Sequence, residues 1–266
     1  MAKIYNRFIL SLFTGNFFCR VPTPFLFITL LTLPAMIVAD ISKDSDASPN
    51  SPESLGRIIF LGDSLTAGYG LSEQYSYPSL IEKKLRFLGL NYEVINAGIS
   101  GDTTAGGLRR IKWLIGGKPS PANFSSEQGA EVIKRHEVLV IALGANDGLR
   151  GFDPLVTKEN LRSIILLARS ELPGVSIILL GMKAPPNMGE DYTNKFDSIF
   201  KELADEYGLP FLPFLLEGVA ARAEFNLPDG IHPNESGYEE ISENVWQVLS
   251  PVLDLGKAKR GTEKGD

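Results

Sequence analysis

Two segments of the sequence carry side chains that could perform nucleophilic or acid-base chemistry. Near the end of the chain, Asp229-Gly230-Ile231-His232 places a carboxylate three residues before an imidazole. On one short loop these side chains can meet, so that the carboxylate fixes the tautomer and orientation of the imidazole. Far upstream, Ser64 stands in the glycine-flanked segment Gly62-Asp63-Ser64-Leu65-Thr66. A serine there either offers its hydroxyl to a substrate or caps a helix, and both interpretations stand at this point.

Two further segments could supply hydrogen-bond donors to a ligand. The glycines of Asn96-Ala97-Gly98-Ile99-Ser100-Gly101-Asp102 allow backbone amides to approach a bound molecule closely. This segment could instead be a phosphate loop or a plain turn, although it lacks the Gly-Lys-Ser/Thr ending of a nucleotide site. Gly144-Ala145-Asn146-Asp147-Gly148 offers a side-chain amide and could also be only a turn.

The elements that would position these segments alternate between strands and helices. Short apolar runs predict strands, and stretches with apolar residues three and four apart predict helices between them. The predicted strands are 57–61, 93–97, 138–143, 176–180 and 210–213, and the predicted helices are 75–88, 104–115, 158–172, 193–207 and 235–253. This alternation predicts an α/β fold, a three-layer α/β/α sandwich with a five-stranded parallel sheet, over residues 56–255.

All four chemical segments lie after strands or on the loop before the last helix, and the loops after parallel strands meet at one edge of a sheet. We therefore expect Ser64, His232 and Asn146 to lie close together. His136 precedes the third predicted strand and belongs at the opposite edge, as a surface or packing histidine. Asp63 and Asp147 adjoin the chemical residues, and we expect them to hydrogen-bond local backbone.

Taken together, these blocks resemble the GDSL (SGNH) hydrolases, whose four blocks carry Ser, Gly, Asn and His. The sequence is most similar to the bacterial arylesterase, acyl-CoA thioesterase I and lysophospholipase branch, whose sheet is flavodoxin-like. The resemblance runs from Ile58 to Pro251 and includes Ile99-Ser100-Gly101-Asp102-Thr103, Asn146-Asp147-Gly148-Leu149-Arg150-Gly151, Pro186-Asn187 and Asp229-Gly230-Ile231-His232-Pro233-Asn234.

The resemblance implies a role for each block. Ser64 would attack the acyl carbon, His232 would take and return its proton, and Asp229 would support the imidazolium, as in other triads. The oxyanion hole would consist of the backbone amides of Ser64 and Gly101 and the side-chain amide of Asn146. The serine lacks the Gly-x-Ser-x-Gly elbow of the α/β-hydrolases.

The implied substrate is a carboxylic ester or thioester with a short to medium acyl chain. Loops after the third, fourth and fifth strands should set the chain preference, with Leu149, Phe152, Pro186 and Met188 as substrate-binding residues. Two alternatives remain, an O-deacetylase acting on cell-wall or other polysaccharide and a relative that kept the fold without catalysis.

Composition limits the partners and cofactors. A formal net charge of -6 over 266 residues disfavours a nucleic-acid surface, which needs a basic field. One cysteine, Cys19, and two histidines disfavour a metal site, so we expect neither metal nor cofactor. We expect a monomer that acts on a small-molecule substrate.

The N-terminal residues 1–39 predict export. Basic residues precede the apolar run from Phe25 to Val38, which is shorter than a membrane span, and no acidic residue occurs before Asp40. A cleaved signal peptide and a periplasmic or secreted enzyme follow; the alternative is an uncleaved membrane anchor built on the run from Phe8 to Phe18. Residues 40–55 predict a flexible linker and residues 256–266 a solvated tail.

Overall fold

The computed structural model describes residues 54–116 and 136–253. The predicted export segment 1–39 and tail 256–266, and the predicted linker except for Ser54 and Leu55, lie outside the described residues. Within the described ranges, every helix is too short or too polar to cross a membrane.

Five parallel strands form one sheet, as the sequence predicts. The strands are β1 (Gly56–Gly62), β2 (Tyr92–Gly98), β3 (His136–Ala142), β4 (Ser176–Leu180) and β5 (Phe211–Leu212), in the order β2-β1-β3-β4-β5. The central strands are buried over consecutive residues, for example Ile58 to Leu61 and Val138 to Ala142, because helices cover both faces. This burial explains why the strands appear in the sequence as unbroken apolar runs.

Seven α-helices lie in the described residues. They are α1 (Ser64–Ala67), α2 (Tyr77–Phe87), α3 (Thr104–Gly116), α4 (Ala145–Leu149), α5 (Pro154–Glu171), α6 (Glu190–Tyr207) and α7 (Glu235–Leu249). Helix α2 packs against α7, whereas α5 packs against both α3 and α6. Right-handed crossovers put these two groups on opposite faces, because the chain moves one way along the sheet through α2 and the other way through α3, α5 and α6.

The helix boundaries differ from the predicted ones where proline or a cap intervenes. Helix α5 begins at Pro154 rather than at residue 158, because Asp153 caps it by accepting a hydrogen bond from the Leu155 amide at 2.9 Å. Helix α7 ends at Leu249 and continues as a single 3-10 turn, since Pro251 cannot donate to the helical ladder. The short helices α1 and α4 lack apolar periodicity and were not predicted.

The carboxyl ends of β1, β2 and β3 stand at the same level. Gly62 at the end of β1 is in register with Gly98 of β2 and Ala142 of β3, so the loops that follow begin side by side. Glycine is required at position 62, because a Cβ there would lie 1.9 Å from the Thr66 hydroxyl oxygen of the next turn. The fold therefore brings three of the four blocks together at one sheet edge.

Candidate active site

Ser64, His232 and Asp229 form one continuous chain of hydrogen bonds at this edge. The Nε2 atom of His232 lies 3.0 Å from the Ser64 hydroxyl oxygen, and its Nδ1 atom lies 2.7 Å from Oδ2 of Asp229. An ionised carboxylate only accepts hydrogen bonds, so Nδ1 carries the proton and the Nε2 lone pair faces the serine. This is the arrangement in which the imidazole can take the hydroxyl proton.

The loop that carries Asp229 and His232 is held in shape by its own backbone. The Leu227 amide donates to the His232 carbonyl at 2.8 Å, and Oδ1 of Asp229 accepts from the amides of Ile231 and His232 at 2.9 and 3.0 Å. The hydrogen bonds from the His232 amide, the His232 side chain and the Ile231 amide lower the pKa of the Asp229 carboxyl to about 2. The carboxylate therefore stays ionised wherever the imidazole can act as a base.

An aromatic side chain covers the imidazole. The ring of Tyr69 packs on that of His232 with 4.3 Å between centroids and a tilt of 35°. The contact restrains the imidazole plane and places an electron-rich face beside the positive charge that forms on proton transfer. Tyr69 was not identified from the sequence, although its position five residues after Ser64 puts it on the same loop.

The helix-capping role at the first block belongs to Asp63 and not to Ser64. Oδ1 of Asp63 accepts from the Leu65 amide at 3.0 Å and caps α1, whose first residue is Ser64. The Ser64 hydroxyl is thereby left for His232. Asp63 is fully buried, which raises the pKa of its carboxyl to about 7.

The residues expected in the oxyanion hole follow three adjacent strands: Ser64 comes after β1, Gly101 after β2 and Asn146 after β3. Asn146, in α4, points Nδ2 toward Oδ2 of Asp63 at 3.4 Å, and it lines the same cavity as Ser64. Gly101 adopts a left-handed conformation with φ of 79°, and its carbonyl accepts from Arg150 at 3.1 Å. Gly101 is not among the residues that line the cavity.

Arg110 ties the loops of Ser64 and Gly101 together. Its guanidinium donates to Asp102 at 2.8 Å and to the Gly62 carbonyl at 2.9 Å. One side chain thus bridges the residue after Gly101 and the second residue before Ser64, and it fixes the spacing of the two loops.

Asp147 and His136 have structural surroundings away from the serine. Asp147 is buried and holds the amide and hydroxyl of Thr104 at 3.0 and 2.5 Å, so it anchors the start of α3 instead of bonding nearby backbone as the sequence suggested. His136 begins β3 at the opposite edge, where its ring contacts the hydroxyls of Tyr92 and Ser176.

A cavity of about 850 Å³ opens beside the triad. Its walls come mainly from the loops after β3, β4 and β5 and from the Asp229-His232 loop, and they include Leu149 and Pro186, two of the residues expected to bind substrate. The apolar side chains that line it from these three loops include Leu149, Met182, Pro185, Pro186, Phe214 and Leu216.

Two residues predicted to bind substrate are not in this wall. Phe152 is absent from the lining, and its backbone carbonyl instead accepts from the Tyr192 hydroxyl at 2.8 Å. Met188 is also absent, because its terminal methyl approaches Gly151. The expected loops border the cavity, but sequence position does not show which of their side chains turn inward.

The chain is similar to several known hydrolases. The GDSL-like Lipase/Acylhydrolase family profile matches residues 60–240. Esterase TesA of Pseudomonas aeruginosa is 38% identical over 196 residues, which cover 74% of this chain and 89% of that protein. The Escherichia coli K12 protein named Thioesterase 1/protease 1/lysophospholipase L1 is 33% identical over 233 residues, covering 87% of this chain and 93% of that protein.

Two solved structures of hydrolases also superpose on this chain. The crystal structure of TesA superposes with a TM-score of 0.64 at 36% identity and covers 74% of this chain and 99% of its own. AlinE4, an SGNH-hydrolase family esterase, superposes with a TM-score of 0.57 at 39% identity, with coverage of 76% and 98%. Among the described residues, no group of three or more His, Cys, Asp or Glu side chains is placed to hold a metal ion. The family profile over residues 60–240 and the relatives at 38% and 33% identity show that the chain belongs to the GDSL-like lipase/acylhydrolase family.

Proposed function

We propose that this protein is a serine esterase that hydrolyses carboxylic esters and thioesters of short to medium acyl chains. The observation that carries the proposal is the hydrogen-bonded chain from Ser64 through His232 to Asp229, which stands at the mouth of a largely apolar cavity. A nucleophile, its base and the group that orients the base are all within direct contact.

The reaction proceeds through an acyl-enzyme. Ser64 Oγ attacks the acyl carbon while its proton passes to Nε2 of His232, and the negative charge on the carbonyl oxygen meets donors from Ser64, Gly101 and Asn146. When the intermediate collapses, the bond to the alcohol or thiol breaks and His232 returns the proton to the leaving atom. Water then attacks the acyl carbon and gives one proton to Nε2. As the bond from that carbon to Oγ breaks, Nε2 returns the proton to Oγ, which releases the carboxylic acid and regenerates Ser64 and neutral His232.

The cavity supports an acyl chain longer than acetyl. At about 850 Å³ it lies within the range of ordinary small-molecule sites, and apolar side chains from three loops line it. An acetyl group would leave most of this surface exposed to water. This observation favours the lipid-ester hydrolase over the polysaccharide O-deacetylase.

Labelling with a fluorophosphonate probe tests the proposal. The wild-type chain should be labelled at Ser64 and should hydrolyse p-nitrophenyl hexanoate, whereas Ser64→Ala should do neither while keeping the wild-type melting temperature. A folded wild-type chain that is not labelled would support the non-catalytic relative. Efficient hydrolysis of acetyl esters only would support the O-deacetylase.

Export to the periplasm or medium as a monomer is part of the proposal. Basic residues ahead of the apolar run Phe25–Val38 support a cleaved signal, and the run Phe8–Phe18 supports membrane association as its alternative. N-terminal sequencing of the protein from the soluble periplasmic fraction should give a mature end near Asp40. Recovery of an intact N-terminus from membranes would contradict the cleaved signal.

A further inference from the structure

Asp63 is a buried acid with an unusual set of neighbours. Its side chain is fully buried, Oδ1 accepts from the Leu65 amide at 3.0 Å, and Oδ2 accepts from Nδ2 of Asn146 at a long 3.4 Å. A helix cap needs only the first of these bonds, and Ser, Thr or Asn would serve without a buried charge. Helix capping therefore does not account for the hydrogen bond between Asp63 and Asn146.

The surroundings of Asp63 do not favour its ionised form. Burial is the largest influence and raises the pKa of the carboxyl to about 7, the Leu65 and Asn146 hydrogen bonds oppose it, and nearby carboxylates add to it. The titratable and charged groups that face Asp63 from the packed elements are Asp102, Asp147, Tyr77 and Tyr238. Arg110, which donates to the carbonyl of the preceding residue Gly62, is paired with Asp102.

We propose that Asp63 is a positioning residue that selects the orientation of the Asn146 amide, so that Nδ2 and not Oδ1 faces the developing oxyanion. An ionised carboxylate accepts hydrogen bonds but cannot donate them, whereas the amide nitrogen carries two hydrogens. One N–H of Asn146 can point to Asp63 while the other points to the oxyanion. A flipped amide would place its oxygen against two negative charges. This role rests on the proposed ester hydrolysis.

The orienting effect depends on the charge of Asp63. The protonated acid can donate to Oδ1 of Asn146, which stabilises the flipped amide. Turnover should therefore fall as the pH drops through about 7, in addition to the loss caused by protonation of the histidine base.

The same charge costs stability. The folded-state pKa, about 7, lies above the ordinary value of 3.8, so the folded protein holds this proton more tightly than the unfolded chain does. The contribution of Asp63 to stability consequently declines as the pH rises from 3.8 to about 7. Selection for stability alone would not retain a carboxylate whose ionisation lowers stability at neutral pH, whereas selection for turnover can retain it.

The substitution Asp63→Asn separates the two roles. The oxygen of the introduced amide can still accept from the Leu65 amide, so the introduced nitrogen faces Asn146 and favours the flipped orientation there. We expect kcat for p-nitrophenyl hexanoate to fall on the order of 10²-fold at pH 8 with little change in KM, as for loss of an oxyanion donor. The melting temperature at pH 8 should be unchanged or higher.

A double-mutant cycle with Asn146→Ala provides the decisive measurement. If Asp63 acts through Asn146, the double variant should have nearly the kcat of Asn146→Ala alone. Thr66→Val is the matched control, since it removes a buried hydrogen bond to Tyr77 from the same short helix and should lower the melting temperature without coupling to Asn146. The inference would be overturned if the loss of kcat in the double variant equals, within about twofold, the product of the losses in Asp63→Asn and Asn146→Ala.

A second measurement does not depend on the Asp63 variant folding. Between pH 8 and pH 6 the wild-type kcat should fall more steeply than that of Asn146→Ala, because only the wild type has an amide to misorient. Equal slopes would overturn the inference. Ester hydrolysis without coupling contradicts this inference alone, whereas a wild-type chain without hydrolysis overturns the proposed function and this inference with it.

Discussion

Leu149 and Phe152 provide a sharp test of the cavity as the acyl-chain site. They lie three residues apart after β3 and are 48% and 42% exposed, so they are nearly equivalent in sequence position and accessibility. Of these two residues, only Leu149 lines the cavity beside Ser64. We therefore expect Leu149→Asp to change the chain-length preference and Phe152→Asp to leave it unchanged.

The size of the effect follows from the burial of methylenes. Extending acetyl to hexanoyl adds four methylenes, worth about 0.8 kcal/mol each when fully buried, or about 200-fold in kcat/KM. Because the cavity is open to solvent on one side, about half of this value is a reasonable expectation, which corresponds to roughly 15-fold. A carboxylate at position 149 replaces apolar wall with a group that must stay hydrated, so the hexanoyl advantage should shrink to about threefold or less.

The assay is kcat/KM for p-nitrophenyl esters of two, four, six and eight carbons, measured for the wild type and both variants. Plots of log kcat/KM against chain length should be parallel for the wild type and Phe152→Asp and nearly flat for Leu149→Asp. Equal flattening by both variants would show that the cavity wall does not determine the preference. A wild type that prefers acetyl would refute the assignment of the cavity.

Three further predictions concern the polar residues. His232→Ala should abolish most esterase activity, whereas His136→Ala should leave kcat/KM unchanged and lower only the melting temperature, because its ring contacts lie at the opposite sheet edge; comparable losses of activity would contradict the site. Asn146→Ala should lower kcat more than it raises KM in steady-state kinetics, because the Asn146 side chain donates to charge that develops in the transition state. An effect confined to KM would instead indicate that Asn146 binds the substrate in its ground state. Asp229→Asn should reduce kcat on the order of 10³- to 10⁴-fold by favouring the wrong imidazole tautomer. Since the pKa of the Asp229 carboxyl is about 2, its protonation should leave no step in the wild-type pH profile between pH 4 and 9.

The sequence predicts the sheet and the meeting of the blocks because those features depend on local patterns. Unbroken apolar runs identify β1, β3 and β4, and parallel topology then requires their following loops to share one edge. Asp229 and His232 are three residues apart, so a short loop already allows the contact that the structure shows. Family resemblance supplies the chemical role of Ser64, which its spacing in the chain does not.

Side-chain direction and burial were not predictable in the same way. Phe152 and Met188 lie on the expected loops, but neither lines the cavity: the Phe152 backbone carbonyl accepts from the Tyr192 hydroxyl, and the Met188 methyl approaches Gly151. The shortest hydrogen bonds of Asp147 come from Thr104, 43 residues away, and no local sequence pattern predicts such a contact. The full burial of Asp63 likewise depends on elements that surround it only after the sheet forms.

The distance along the chain between Ser64 and His232 has a consequence for synthesis. The two side chains, which are hydrogen-bonded to each other, are 168 positions apart, one just after the first strand and the other just before the last helix. At ribosomal rates of about 5–20 residues per second, on the order of ten to thirty seconds separate their emergence. Their contact is also among the least local in the fold, and such contacts form late because loop closure must come first. If the proposed roles of these residues hold, a growing chain has no esterase activity until nearly the whole domain has been made, and the appearance of activity reports the completion of folding.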